Sequence, residues 1–339
     1  MAPPDSSMEK ARRSDRRSFL RGSGAIALLA AVFSRSVRAQ AWPARPVRII
    51  VSFPPGGLTD LYARAYGETL ARSIGQAVLV ENRAGAGGVI GCDAVAKSPA
   101  DGYTFLFTIS TPIVQAQALY RKLPYDPDKD FTFIAAFDSG HLPLAVHRDV
   151  PARGFREFVD FAKKTAVNFG SYGPGSVPHM VAAQINKLFQ TRIEVVHFKG
   201  EAPMWVEVAA GRIHAAIGSI SALSPHLQGE AVRPIAVNTA KRSPKLPRVA
   251  TYLEQGFSEK VFMLKGWLGL LGPAGLPAEI VSRISKAILE GAESPRLKQI
   301  YETFGLLEKP TTPEEFLALY REEGPVMIAI VRELGVSLD

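Results

Sequence analysis

Apolar positions fall into two alternating rhythms along this chain. Short runs rich in valine, isoleucine and phenylalanine read as strands, and the stretches between them carry apolar residues at helical spacing. The strand candidates are residues 47–53, 77–81, 103–108, 131–137, 142–147, 168–171, 194–198, 213–218, 233–238 and 262–271. The C-terminal third is mostly helical. A segment over 277–290 starts on a proline with Glu279 close behind, and Thr312-Pro313-Glu314-Glu315 opens the last helix as a capping box. Such alternation predicts an α/β fold of parallel-rich, doubly wound sheets covered by helices.

The runs near 131–147 and 262–271 are long for one compact α/β domain and suit two connections that cross between lobes. Placing the crossings near Leu142 and Lys265 gives a discontinuous first lobe, 40–141 with 265–339, and an inserted second lobe, 142–264.

The ends change the picture. Arg16-Arg17-Ser18-Phe19-Leu20-Arg21, an apolar run over 25–33 and then Val37-Arg38-Ala39 read as an export signal over residues 1–39. The run is too short to span a bilayer as a mature helix. The twin arginines resemble a Tat signal, with Asp15 where a hydroxyl residue is usual; a Sec peptide is the alternative. Either route predicts a soluble periplasmic protein after cleavage. The formal charge of +8 is mostly the leader's: it holds eight Lys/Arg against three Asp/Glu, leaving the rest at +3. Net charge therefore offers nothing for a nucleic-acid role. Cys92 is the only cysteine, which excludes an internal disulfide or a cysteine cluster. The six histidines form no ligand-spaced pair, so no metal is expected, and no cofactor.

Candidate chemistry centres on Phe53-Pro54-Pro55-Gly56-Gly57-Leu58-Thr59-Asp60, where a strand turns into a helix. The first N–H groups of a helix lack partners and its dipole favours negative charge, so a glycine turn there suits a small anion. Thr108, Ser110 and Thr111 end the third strand on the same sheet edge; they can bond a carboxylate or cap a helix. Ser171-Tyr172-Gly173-Pro174-Gly175-Ser176 with His179 repeats the strand, glycine turn and helix start in the middle of the chain. Ser176 and His179 raise the alternative of a secreted serine hydrolase, but no Gly-x-Ser-x-Gly elbow is present, and capping with anion solvation is the more natural role. Lys199 offers a cation or a solvated loop, and Trp205 and Trp267 read as core or hinge packing. Glycines at 85, 87 and 88 miss the dinucleotide spacing, because Ile90 stands where glycine or alanine is needed.

In this order the motifs resemble the substrate-binding proteins of tripartite tricarboxylate transporters, the Bug solute receptors. The resemblance rests on Arg45-Pro46-Val47, Phe53-Pro54-Pro55-Gly56-Gly57 with Asp60, Glu81-Asn82-Arg83-Ala84-Gly85, Ala100-Asp101-Gly102-Tyr103-Thr104, Leu123-Pro124-Tyr125-Asp126-Pro127, Phe198-Lys199-Gly200 with Ala202-Pro203, and Gly272-Pro273-Ala274-Gly275-Leu276-Pro277. It implies a type II, Venus-flytrap periplasmic binding protein, not an enzyme, monomeric, closing on a small organic carboxylate and meeting membrane transporter subunits or a sensor kinase. The ligand would meet backbone N–H groups over 53–59 and 172–179, with Thr108, Ser110 and Thr111 as side-chain donors. Gly218-Ser219 stand where the family commonly has an aspartate-asparagine pair, which predicts a roomier cleft without that carboxylate and a ligand lacking an amino group.

Overall fold

The computed structural model describes residues 42–335 and Leu338. The export-signal reading falls on residues outside that range. The described residues from Pro43 onward form one unit built on two five-stranded sheets. The chain runs β1 (Val47–Val51), α1 (Leu58–Ile74), β2 (Val78–Asn82), α2 (Val89–Ala96), β3 (Thr104–Ile109), two single turns α3 (Ser110–Ile113) and α4 (Ala116–Leu119), then β4 (Phe131–Phe137). The second sheet follows with β5 (Pro143–His147), α5 (Phe155–Lys164), β6 (Val167–Ser171), α6 (Val177–Phe189), β7 (Ile193–His197), α7 (Glu201–Ala209), β8 (Ala215–Ile217), α8 (Ile220–Leu227) and β9 (Val232–Val237). The chain then returns through β10 (Leu268–Pro273) to α9 (Ala278–Gly291), α10 (Pro295–Phe304) and α11 (Pro313–Glu333).

Strand order is β2-β1-β3-β10-β4 in one sheet and β7-β6-β8-β5-β9 in the other. The parallel expectation holds for β2-β1-β3 and β7-β6-β8, while β10 and β5 lie antiparallel to both their neighbours. Those two are the strands that enter after a crossing, so they come in from the opposite end. β3 is buried along nearly its whole length, with Ile49 opposite Phe105 and Leu270 opposite Phe107, as a sheet covered on both faces requires.

One expected element differs. Residues 262–271 are not one strand: a 3₁₀ turn covers Lys260–Met263, and β10 starts only at Leu268. Gly266 has φ +64, which breaks an extended run. Its carbonyl accepts from Ser139 Oγ at 3.1 Å, and the Leu264 carbonyl accepts from Asn238 Nδ2 at 2.7 Å. Side chains of the crossing segments thus take up the groups that a ladder would have used.

Each sheet has its own core. Phe155 gathers Tyr252, Phe257 and Phe262 at centroid distances of 4.6–5.1 Å beside the second sheet. Phe316 and Tyr320 of α11 pack on Phe133 of the first sheet, whereas Val331, near the far end of that helix, joins the core of the second. The capping box at its start is formed: Thr312 Oγ1 accepts from Glu315 N at 3.2 Å, and Glu315 Oε2 accepts from Thr312 N at 2.7 Å.

Candidate functional site

The end of β1 delivers the chain into the Pro-Pro-Gly-Gly turn. Gly57 is the N-cap of α1 and supplies no side-chain cap, so the first N–H groups of the helix stay open to another acceptor. The turn is braced from behind. Asp60 accepts from Gly56 N at 3.2 Å, from Asn82 Nδ2 at 3.0 Å and from both arms of Arg64, while Asn82 also donates to the Phe53 carbonyl at 2.9 Å. Burial alone would raise the pKa of Asp60, but these donors outweigh it and hold the carboxyl below its usual range.

The turn forms one wall of a cleft with about 580 Å³ of empty space, mouth included, that lies between the two sheets beside both crossings. Of the residues singled out in the sequence, Phe53, Gly57, Leu58, Thr59, Ser110, Thr111, Tyr172 and Ser219 line it. The others do not. Pro55 and Gly56 face solvent, Gly56 with φ +94 at the tip of the turn. Thr108 is fully buried behind the sheet, bonded to Ser52 Oγ at 2.7 Å. Ser171 and Ser176 bond each other at 2.8 Å, and the Ser176 hydroxyl donates to the Gly173 carbonyl at 2.6 Å instead of capping α6. Gly175 turns at φ +69, where a Cβ would lie 2.3 Å from Leu119 Cδ1. His179 uses Nδ1 to accept from Gly175 N at 3.0 Å and packs its ring 4.7 Å from that of His197. Ser176 and His179 therefore make no nucleophile–base contact, and the hydrolase alternative loses its geometry. Lys199 points to solvent.

Two premises about the far wall are overturned. A Cβ at Gly218 would stand 2.8 Å from Trp205 Nε1, and Trp205 is fully buried, so the glycine accommodates an indole and opens no room in the cleft. Nor is the cleft without a carboxylate. Glu201, the first residue of α7, accepts from Ser219 N at 2.9 Å and from Ser219 Oγ at 2.6 Å, and its Oε2 lies beside the facing turn, 3.7 Å from the ideal Cβ position of Gly57. Burial pushes its pKa up, partly offset by those donors.

Sequence reasoning also missed the wall supplied by the crossings: Ser139, Leu142, Lys265, Trp267 and Leu268. The Lys265 ammonium sits 2.6 Å from Glu308 and 3.4 Å from Asp138; burial would lower its pKa, but the two carboxylates raise it. Asp138 is itself held low by Lys265 and by N–H groups of Gly140, Leu307 and Glu308, against the upward pull of burial. Leu142 and Lys265 were the positions chosen for the crossings, and a crossing between two sheets has to pass the floor of whatever lies between them. That signal was available in the sequence.

The two-sheet architecture agrees with the comparisons. The family model described as tripartite tricarboxylate transporter family receptor matches residues 62–335. The chain belongs to this family. It is 32% identical over 320 residues to Protein BugT of Bordetella pertussis, covering 92% of this chain and 96% of that one. Among solved structures, a Rhodopseudomonas palustris protein with adipate superposes with a TM-score of 0.82 at 29% identity, covering 88% of this chain and all of that one. MatC from the same organism, with bound malate, superposes at 0.79 with 27% identity, over 86% of this chain and all of that one. The family is one of solute receptors, not enzymes. Among the described residues no helix is long and apolar enough to cross a membrane.

Proposed function

We propose that this receptor works in the periplasm, binds a small organic carboxylate in the cleft, and passes it to the membrane subunits of a tripartite transporter. The observation that carries the reading is a cleft between the two sheets, bordered by both crossings, whose wall combines the uncapped start of α1 with the hydroxyls of Thr59, Ser110, Thr111 and Ser139 and the ammonium of Lys265. Lobes 40–141 with 265–339 and 142–264 would close by bending at the crossings, and the closed form would be what the membrane partner recognises. Delivery to a sensor kinase uses the same closed form and has no separate observation in its favour.

A ligand without an amino group remains the preferred class, on new ground. The one carboxylate on the lining, Glu201, is already engaged by the two donors of Ser219, and the Lys265 ammonium on the same lining repels a ligand ammonium.

Thermal melting of residues 40–339, unfolded and refolded to remove bound solute, against a panel of carboxylic acids tests the proposal. A ligand at a hundred times its Kd stabilises by about 2.7 kcal/mol. Stabilisation by at least one acid is expected; a panel without a single shift on folded protein would overturn the reading.

A further inference from the structure

Glu201 stands out as a chain carboxylate placed where a ligand carboxylate would otherwise go. It enters from the second sheet, directly after Gly200, whose backbone lies so close to the first-sheet turn that a Cβ would be 2.7 Å from Pro54 Cδ. Its Oε2 lies 3.7 Å from the ideal Cβ position of Gly57. Its donors are the N–H and hydroxyl of Ser219, the N-cap of α8. One side chain thereby bonds the start of one helix and sits beside the start of α1 on the opposite wall, a place suited to a negative charge.

What Glu201 leaves for a ligand is limited. The remaining polar side chains on the lining are Thr59, Ser110, Thr111, Ser139, Tyr172 and Trp267, the last with an unpaired indole N–H, and the ammonium of Lys265. Apart from these the wall is apolar, with Phe53, Leu58, Ile109, Leu142 and Val177. One carboxylate can be placed at the hydroxyls and Lys265. A second would have to approach Glu201, whose compensating donors are already used, and like charges inside a partly desolvated cleft repel.

We propose that Glu201 fills one carboxylate position of the cleft with the protein's own side chain, so that the receptor takes monocarboxylates with an apolar body and excludes dicarboxylates. This rests on the carboxylate-receptor reading above and names the substrate class for it. Glu201 is then a specificity-determining residue, acting by charge and by its place between the two helix starts.

The test is calorimetric titration of the refolded protein with acid pairs that differ by one carboxylate: butanoate and succinate, hexanoate and adipate, benzoate and isophthalate. For whichever pair binds, the monoacid should bind at least about ten-fold tighter, the ratio that about 1.4 kcal/mol of repulsion gives. Glu201→Gln keeps the shape but removes the charge, and should narrow the ratio by raising diacid affinity. Glu201→Ser, which also vacates the space, should narrow it further; circular dichroism shows that each variant is folded. A wild-type protein that binds the diacid as well as or better than the monoacid overturns the inference and leaves the receptor reading standing. So does an unchanged ratio in both folded variants. If no acid binds wild type or variants, the receptor reading falls and takes the inference with it.

Discussion

Gly218→Ala separates two views of the far wall. If the glycine were there to leave space for a ligand, one methyl group would cost the fold nothing. The structure instead puts the new Cβ 2.8 Å from Trp205 Nε1 and 3.2 Å from Cε2 and Cζ2 of the same ring. The indole is fully buried among Met204, Val208 and Leu223, so it cannot swing aside into solvent. No left-handed φ is involved, and the whole effect is overpacking, which costs about 1–3 kcal/mol. Thermal melting of the ligand-free protein should therefore fall by roughly 2–12 °C, taking about 2–4 °C per kcal/mol for a chain somewhat smaller than this one. Trp205→Phe removes the contacting atoms, and in that background the same Gly218→Ala should cost less by about 0.5 kcal/mol or more, since contacting pairs couple. A neutral Gly218→Ala, or equal costs in the two backgrounds, would refute the packing argument.

Three further outcomes follow from the geometry. Gly200 has φ 164, extended backbone open to any residue, so Gly200→Ala acts only as a wedge against Pro54; titration should show solute affinity falling by about ten-fold with little change in the melting of the ligand-free protein. Ser176→Ala removes the bonds to Gly173 O and Ser171 Oγ and should lower stability by about 1–2 kcal/mol in urea denaturation, while an ester-hydrolysis assay should read zero for both proteins. His179 is kept neutral by burial and by neighbouring His197, with its pKa held down to about 4, so it resists protonation when folded. Its contribution is complete above the unfolded value of about 6.5 and is lost as pH falls towards about 4; His179→Gln, able to accept from Gly175 N, should flatten denaturation midpoints across that window.

Much of the fold was legible because its elements obey local rules. All ten strand candidates correspond to strands, since a sheet covered on both faces needs continuous runs such as Thr104–Ile109 that few other structures need. The capping box at Thr312 was readable because both its partners lie within four residues. The long run at 262–271 misled for the opposite reason. Gly266 and the bonds from Ser139 and Asn238 belong to the crossing, and their partners sit 127 and 26 residues away in sequence.

The site divides along the same line. The Gly57–Thr59 turn could be read because a helix start without a side-chain cap is a property of adjacent residues. In the segment Lys199-Gly200-Glu201, local reasoning favoured the lysine as the group facing an anion. Lys199 is exposed and Glu201 faces the cleft, because Phe198 N still pairs with Ser171 O at 2.7 Å and Gly200 then packs on Pro54. That register carries Glu201 onto Leu58 and Ser219. An acidic first residue is an ordinary feature of a helix start, so nothing in its own neighbourhood marks Glu201 as special. Its significance lies in bonding the start of another helix, at Ser219, while sitting beside the start of α1 across the cleft. Ser219 offers two donors on the far wall, and Glu201 brings a carboxylate to meet them.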